Sequence, residues 1–339
     1  MPELDIFSQS PFTEIERTND INKMPFVPTY LGDLAVNGQR LFAGRGVRTT
    51  SVWFDENDSQ LRPIQSSPRG APATPRSVPG RRRADSIPVP HLVDQIAVYA
   101  DEIQDVRRMG SEQLQDLRSE VQDREQDVLQ NFDLTWEHHR LGAIQGKVLD
   151  ADGSVIVDLF DKFKVTPETA VNFKLNQSGT DVAKIARGIR RTMIGNLRMP
   201  GVVQFRIKAL CGHDFFDQVI GHSSVKEAYL NHSAAQVLAR DQAFNEFNFA
   251  GIDFVDYQAD DDGLIGVPAD GVRLFPMVPG IFHTYFAPAD NLTWANTRGR
   301  PRYGTPYRDP QDKFWSEELQ SNPLTICTRP KALMSGQAS

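Results

Sequence analysis

The stretch that most limits how this chain can fold is Ser111 to Ile144, which reads as one long helix. Leu114, Leu117, Val121, Val128, Phe132 and Trp136 recur at three-, four- and seven-residue steps, one face of a 3.6-residue period. The other faces carry Glu112, Asp116, Arg118, Glu120, Asp123, Arg124, Glu125 and Asp127. Gly110 breaks the pattern before Ser111, a suitable N-cap, and Gly142 and Gly146 end it. At ~1.5 Å per residue the helix runs roughly 50 Å, more than a small compact domain needs. Such a helix is either packed on a sheet by its one stripe or a strut in an extended subunit.

The chain around it has 339 residues, 40% hydrophobic and 24% charged, which fits globular material in about two domains. A net charge of −7 gives no overall drive toward nucleic acid. Two distant cysteines, Cys211 and Cys327, make neither a disulfide framework nor a zinc site, and a reducing compartment is expected. Met-Pro-Glu-Leu-Asp-Ile does not read as a signal peptide, and no run of 18 apolar residues spans a membrane.

Residues 1–36 show no helical or strand period, and Pro25 and Pro28 exclude a helix interior there. They read as an extended arm lying either on a neighbouring subunit or on the chain's own body. Residues 37–90 read as an extended two-stranded loop. Gln39–Phe42 and Val47–Phe54 are strand-like, with Val47, Thr49, Ser51 and Trp53 in period two. Arg40, Arg45, Arg48, Arg62, Arg69, Arg76, Arg81, Arg82 and Arg83 face only Asp55, Glu56 and Asp58, nine cations minus three acids, a local charge of +6. Proline and serine fill the rest, so the segment cannot support itself and is expected to project toward a partner. Asp101 to Asp127 has the opposite sign, nine acids minus four arginines, a local −5. Paired within one subunit, such charges are worth little each; paired between subunits, they set register and partner choice. Two unrelated solvated faces are the bland alternative. The expected contact set is Arg45, Arg48, Arg62, Arg69, Arg76, Arg81, Arg82 and Arg83 against Asp116, Glu120, Asp123 and Glu125.

Beyond the long helix, Asp150-Ala-Asp-Gly153 predicts a hairpin turn. Thr180–Leu197 predicts a helix, with Val182, Ile185, Ile189, Met193 and Ile194 on one face. Val202–Leu210 predicts a buried strand. His213–Ile220 and Val225–Arg240 predict helices. Phe244–Tyr257 reads as one strand with a bulge at Gly251. Arg273–Met277, Ile281–Tyr285, Phe314–Leu319 and Leu324–Arg329 read as strands, and Ala287–Pro310 as loop.

Signatures of catalysis are missing. Gly44-Arg45-Gly46 lacks the third glycine and frame of a dinucleotide site, and Gly-His-Ser223-Ser-Val lacks the second glycine of a nucleophile elbow. His138 and His139 diverge by about 100° on a helix and read as hydrogen-bonded groups near its end rather than metal ligands. Asp260-Asp-Asp262 lacks calcium-loop spacing. No catalytic, cofactor or metal residue is therefore assigned. Arg81-Arg82-Arg83 could meet phosphate, but aromatic interleaving is sparse, and a protein partner is favoured. A nucleic-acid-binding module using the arginine-rich loop is the alternative function; an enzyme comes third, with no nucleophile to name.

The ordered pieces resemble the major capsid protein E family of tailed phages, the lambda-type capsid subunit. The resemblance is carried by Asn22 through Pro25, Pro28 and Leu31; Thr50-Ser-Val-Trp53; Pro63-Ile-Gln-Ser-Ser-Pro-Arg-Gly-Ala-Pro72; and Pro88-Val-Pro-His-Leu92. It continues through Thr135-Trp-Glu137, Arg140-Leu-Gly-Ala-Ile-Gln-Gly146, Tyr285-Phe-Ala-Pro-Ala-Asp290 and Ser321-Asn-Pro-Leu-Thr-Ile-Cys-Thr-Arg-Pro330. It implies an α+β, Hong Kong 97-type capsid fold: arm 1–36, extended loop 37–90, peripheral domain 91–165 with 300–339 around spine helix 111–144, and axial domain 166–299. It implies self-assembly as pentamers and hexamers into an icosahedral shell, a virion location with assembly in the host cytoplasm, and packaged double-stranded DNA on the inner surface. The implied partners are a separate scaffolding protein, a portal protein and, since no Lys–Asn cross-link pattern can be placed, a decoration or cement protein where noncovalent contacts do not suffice.

Overall fold

The structure is a computed structural model that describes residues 13–56, 83–99, 113–199, 205–230, 246–257, 266–310 and 314–339. Its axis is helix α3, Gln113–Gln145, reached after α1 (Glu14–Lys23), α2 (Tyr30–Asp33) and strands β1 (Ala35–Val36) to β6 (Leu92–Tyr99). The stripe read from the sequence is the buried one: Val121, Val128, Phe132 and Trp136 are in the core, joined by Leu129. Gly146 stops the helix at φ +85°, where a Cβ would overlap the Phe160 ring. The chain then turns through β7 (Lys147–Leu149) and β8 (Val155–Asp158), an antiparallel hairpin whose Asp150–Gly153 turn is as expected, and into the short helix α4 (Leu159–Lys162).

A six-stranded sheet forms the second body, in the order β11 (Glu246–Phe249), β12 (Ile252–Asp256), β10 (Arg206–Cys211), β13 (Gly271–Met277), β18 (Met334–Gln337) and β9 (Val171–Asn172). At its centre β10 (Arg206–Cys211) pairs in parallel with β12 (Ile252–Asp256) and antiparallel with β13 (Gly271–Met277). Side chains on β10 alternate between two cores, as a two-residue period requires. Ile207, Ala209 and Cys211 join the cluster under helices α5 (Val182–Leu197), α6 (His213–Gly221) and α7 (Ser223–Leu230), while Leu210 joins the cluster at the C-terminal end of the spine. Helix α5 starts on Asp181, whose carboxylate accepts from the Lys184 backbone N–H at 2.9 Å. Two three-stranded sheets flank the spine: β17 (Pro323–Cys327), β14 (Phe282–Phe286) and β3 (Ala43–Gly46); and β15 (Tyr303–Arg308), β16 (Phe314–Ser321) and β6.

Five expectations need correction. The arm is not wholly extended: Glu14–Lys23 is helical, and its buried face is Arg17, Thr18 and Ile21, too polar to leave a hydropathy period. The arginine loop's first arm is two strands, β3 and β4 (Ser51–Glu56), rather than one over Val47–Phe54, and on β4 Val52 is buried while Trp53 is 63% exposed. Phe244–Tyr257 is not a bulged strand within its described part. Glu246–Phe249 (β11) and Ile252–Asp256 form a hairpin, with Ala250 and Gly251 both at positive φ. Tyr303–Arg308 is a strand inside the expected loop, recruited because β16 offers it an open edge. Finally, the sheets do not follow a boundary at residue 299/300. β18 (Met334–Gln337) pairs with β13 and β9 (Val171–Asn172) in the six-stranded sheet, whereas β14 pairs with β17 and β3 beside the spine.

Candidate functional site

The arm from Thr13 to Asp33 lies along the chain's own spine helix, running in the same direction. Its first fixed point is Arg17, 1% exposed. Arg17 Nε donates to Glu317 Oε1 at 3.2 Å and Nη2 to Glu317 Oε2 at 2.8 Å, and the same guanidinium pairs with Glu125 of α3. Two buried carboxylates thus share one cation. Burial pushes the Glu317 carboxyl up to about 7, with Arg17 pulling the other way. At the next residue, Gly304 N–H donates to Thr18 Oγ1 at 3.2 Å; a Cβ on Gly304 would strike Glu317 and Ile21. Asn22 Nδ2 donates to the Arg302 carbonyl at 2.7 Å.

The second fixed point is Asp133. Its Oδ2 accepts from Val27 N–H at 2.7 Å and its Oδ1 from Arg302 Nη2 at 2.6 Å. The fully buried Arg302 guanidinium lies 4.0 Å from the Phe26 ring centroid and 5.7 Å from that of Trp136. The third is Glu137, whose Oε1 accepts from Leu31 N–H at 2.7 Å, inside the first turn of α2, and from Tyr257 OH at 3.1 Å. Carboxylates on successive stretches of the spine therefore take up N–H groups that the irregular arm could not satisfy itself. Lys208 then ties the arm to the six-stranded sheet. Its Nζ donates to Tyr30 OH at 2.5 Å and to Glu246 at 2.8 Å, and burial beside Glu246 pushes the Tyr30 phenol up so that it stays protonated. A cleft of about 330 Å³ remains between arm and spine, walled by Phe26, Trp136, Arg140 and Phe286.

At the base of the long loop, β4 and β5 (Arg83–Pro88) pair antiparallel from Ser51↔Pro88 to Glu56↔Arg83. Val52 and Ile87 anchor this ribbon in the core, and Phe54 packs its ring 6.0 Å from those of Phe163 and Tyr285. The predicted contact residues are divided by the structure. Arg45, paired with Tyr285 across β3 and β14, and Arg48 are exposed beside the ribbon. Arg83 opens β5. Arg62, Arg69, Arg76, Arg81 and Arg82 lie outside the described residues, as do Asp260–Asp262. Asp116 and Glu120 belong to the first turns of α3, and Asp123 is exposed. Glu125 is a correction: it is fully buried against Arg17 of the same chain. Four residues after Val121 and three before Val128, it sits on the apolar stripe, which its charge concealed.

Sequence reasoning missed Arg17, Asp133, Glu137, Arg302 and Glu317, all buried. One local signal existed: Thr13 and Glu16 have capping-box spacing, and Thr13 Oγ1 donates to Glu16 Oε2 at 2.8 Å. The histidine pair also differs from expectation. His139 is buried, and its ring nitrogens and those of His138 have no hydrogen-bond partner among the described residues. Burial, reinforced by His138, pushes His139 down to about 4. Burial also pushes the Cys211 thiol up and the Cys327 thiol up to about 12, so neither is a ready nucleophile. Among the described residues no group of three or more His, Cys, Asp or Glu side chains could hold a metal, and no helix is long and apolar enough to cross a membrane.

The sequence model of phage major capsid protein E matches residues 18–338. The chain is 25% identical to a major capsid protein of Salmonella phage Felix O1, covering 97% of both chains. It is 27% identical to that of Pseudomonas phage KPP10, covering 86% of this chain and 89% of the relative. Among solved structures it is similar to a candidate capsid protein of an Escherichia coli CFT073 prophage, with a TM-score of 0.50 at 13% identity, over 76% of this chain and 80% of the other.

Proposed function

The chain belongs to the phage major capsid protein E family, and from that premise we propose that its copies close as pentamers and hexamers into an icosahedral shell around packaged double-stranded DNA. It is a structural protein of a phage virion with the α+β capsid fold of the Hong Kong 97 type. The observation that carries the assembly reading is the division of labour between arm and loop. The arm is committed to its own subunit through Arg17, Asp133, Glu137 and Arg302. The long loop has a seated two-stranded base, and the sequence it spans holds Arg62, Arg69, Arg76, Arg81 and Arg82. These cations, with Arg45 and Arg48, meet Asp116, Glu120 and Asp123 on the spine of a neighbouring copy. Each exposed pair is worth ~0–1 kcal/mol, so the shell is held by repetition.

A separate scaffolding protein directs closure in the host cytoplasm, a portal protein takes one vertex, and a decoration protein reinforces the shell where these contacts do not suffice. The subunit acts by shape and contact and catalyses nothing. Expression followed by negative-stain electron microscopy tests this: the full chain gives hollow particles, and the chain lacking 70–83 stays soluble without forming shells. Normal shells from the deletion would remove the loop from the assembly contact.

A further inference from the structure

Helix α5 carries a feature that the assembly contacts do not use. Lys184, Arg187, Arg191 and Arg198 are all exposed. At 3.6 residues per turn Lys184, Arg187 and Arg191 fall within an arc of roughly 60°, and Arg198 follows as the C-cap, in the left-handed conformation just past Leu197. Val182, Ala186, Ile189, Met193 and Leu197 are the buried residues of the helix and lie on the opposite side. Between Val182 and Arg198 there is no acidic residue, on a chain whose net charge is −7. Asp181 places an exposed carboxylate 3.6 Å from Arg187; a pair so exposed is worth little.

Two glycines share the stripe. Gly188 and Gly195 are exposed, and a Cβ on either would meet nothing within 4 Å. Neither has the positive φ that would demand glycine. Each costs the helix about 1 kcal/mol relative to alanine, with no return inside the subunit. Flanked by cations, they leave the helix surface low, so that a broad polyanion can reach both the side chains and the helix itself. Along the axis, Lys184, Arg187 and Arg191 stand at about 0, 4.5 and 10.5 Å, and Arg198 caps the far end of the helix. A DNA duplex offers one charge per ~1.7 Å of axis and tolerates such uneven spacing.

We propose that this face of α5 binds the phosphate backbone of duplex nucleic acid without sequence preference, and that it is the surface turned toward the packaged genome. The second half of the proposal rests on the shell reading above. No base-reading side chain is needed, since phosphate contacts position without specifying. The cations extend from the first turn of the helix to its C-cap, which suits a rod-like polyanion better than a compact anion.

The test uses the full chain before assembly, a random duplex of about 30 base pairs, and fluorescence anisotropy from about 20 mM salt upward. The wild type should bind with a log–log salt slope of about −3 to −4, from four phosphate contacts at ~0.9 each. The triple variant Lys184→Gln/Arg187→Gln/Arg191→Gln should bind at least about tenfold more weakly with a slope shallower by ~3, while Arg45→Gln/Arg48→Gln keeps the wild-type slope. Gly188→Leu, with every charge intact, should also weaken binding. An unchanged slope in the triple variant, or no wild-type binding at the lowest salt, overturns the proposal. So does a triple variant that binds duplex normally but no longer forms shells, because the stripe would then be a contact between subunits. Failure of the wild type to form shells would sink the assembly reading, while the slopes would still decide the binding face.

Discussion

Two interiors of the same subunit are built on opposite chemistry. Under helices α5 to α7, the six-stranded sheet is closed by an apolar cluster that includes Phe173, Phe215, Ile207 and Phe254. The seam between arm and spine sets buried ions beside a small apolar cluster of Ile21, Val121, Val128 and Phe132: Arg17, Glu125, Asp133, Glu137, Arg302 and Glu317 are all nearly inaccessible. An apolar core is forgiving, because its energy follows area and volume. A buried ion pair stabilises little against an apolar replacement, but losing one partner strands a charge. The seam therefore fixes where the arm sits more than how firmly the subunit folds. A shell subunit needs an arm in one place before its neighbours arrive.

The largest expected effect breaks the seam. Arg302→Ala leaves Asp133 buried with only Val27 N–H and removes the cation between Phe26 and Trp136; unfolding in urea should show a loss of about 3–5 kcal/mol. Replacing both ions, as Arg302→Met/Asp133→Leu, should recover much of that loss. If the single variant costs under about 1 kcal/mol, the contrast between the two interiors is wrong.

Acidity separates the seam from the core next. His139 is held down to about 4, below its ordinary 6.5. Between those values the unfolded chain binds a proton that the folded one lacks, so acidification destabilises, by up to about 3 kcal/mol. Glu317 is raised from 4.5 to about 7, so its folded form keeps a proton the unfolded chain has released, and stability falls as pH rises through that window. The two slopes oppose between 4.5 and 6.5. In chemical denaturation at stepped pH, His139→Leu should remove its share of the acid limb, and Glu317→Gln should flatten the decline toward neutrality. A Glu317→Gln profile that follows the wild type would exclude proton sharing at Arg17.

By contrast, the apolar side should respond in small, graded steps. Ile207→Val deletes one methyl from the wall of the sheet and should cost about 1 kcal/mol with no change in pH profile. A loss several times larger would mean that this core is as intolerant as the seam.

The same contrast explains what could be read in advance. The spine stripe, the Asp150–Gly153 hairpin, α5 and β10 were legible because their burial follows hydropathy at a regular period. The seam was not. Arg17 and Glu317 are 300 residues apart, and Val27 and Asp133 are 106 apart. Their burial contradicts their polarity, so α1 looked like coil and Glu125 like a surface acid. The ordered set of short matches from Asn22 to Pro330 still pointed to the family, because resemblance does not require knowing which charges are inside. β18 escaped for another reason: Met334-Ser-Gly-Gln337 is too short and polar to signal a strand, and only its partners β13 and β9 make it one.

The smallest effect concerns a turn on the apolar side, for which the seam side supplies a template. Val36 and Gln39 flank Asn37-Gly38, with φ of 52° and 78°; Phe249 and Ile252 flank Ala250-Gly251, with φ of 52° and 83°. Both two-residue loops need positive φ at both positions, and the first uses the pair best suited to it. Alanine in the left-handed region carries a Cβ–carbonyl clash that asparagine partly offsets by local hydrogen bonding. Ala250→Asn should therefore stabilise by about 0.5 kcal/mol, a rise of about 0.7 °C in thermal unfolding followed by circular dichroism. Asn37→Ala should lower stability by a similar amount. The gain is small because β11 is the sheet's edge strand and its turn is local. A melting temperature lowered by Ala250→Asn would show that this loop is held by its surroundings, as the arm is, rather than by its own backbone preference.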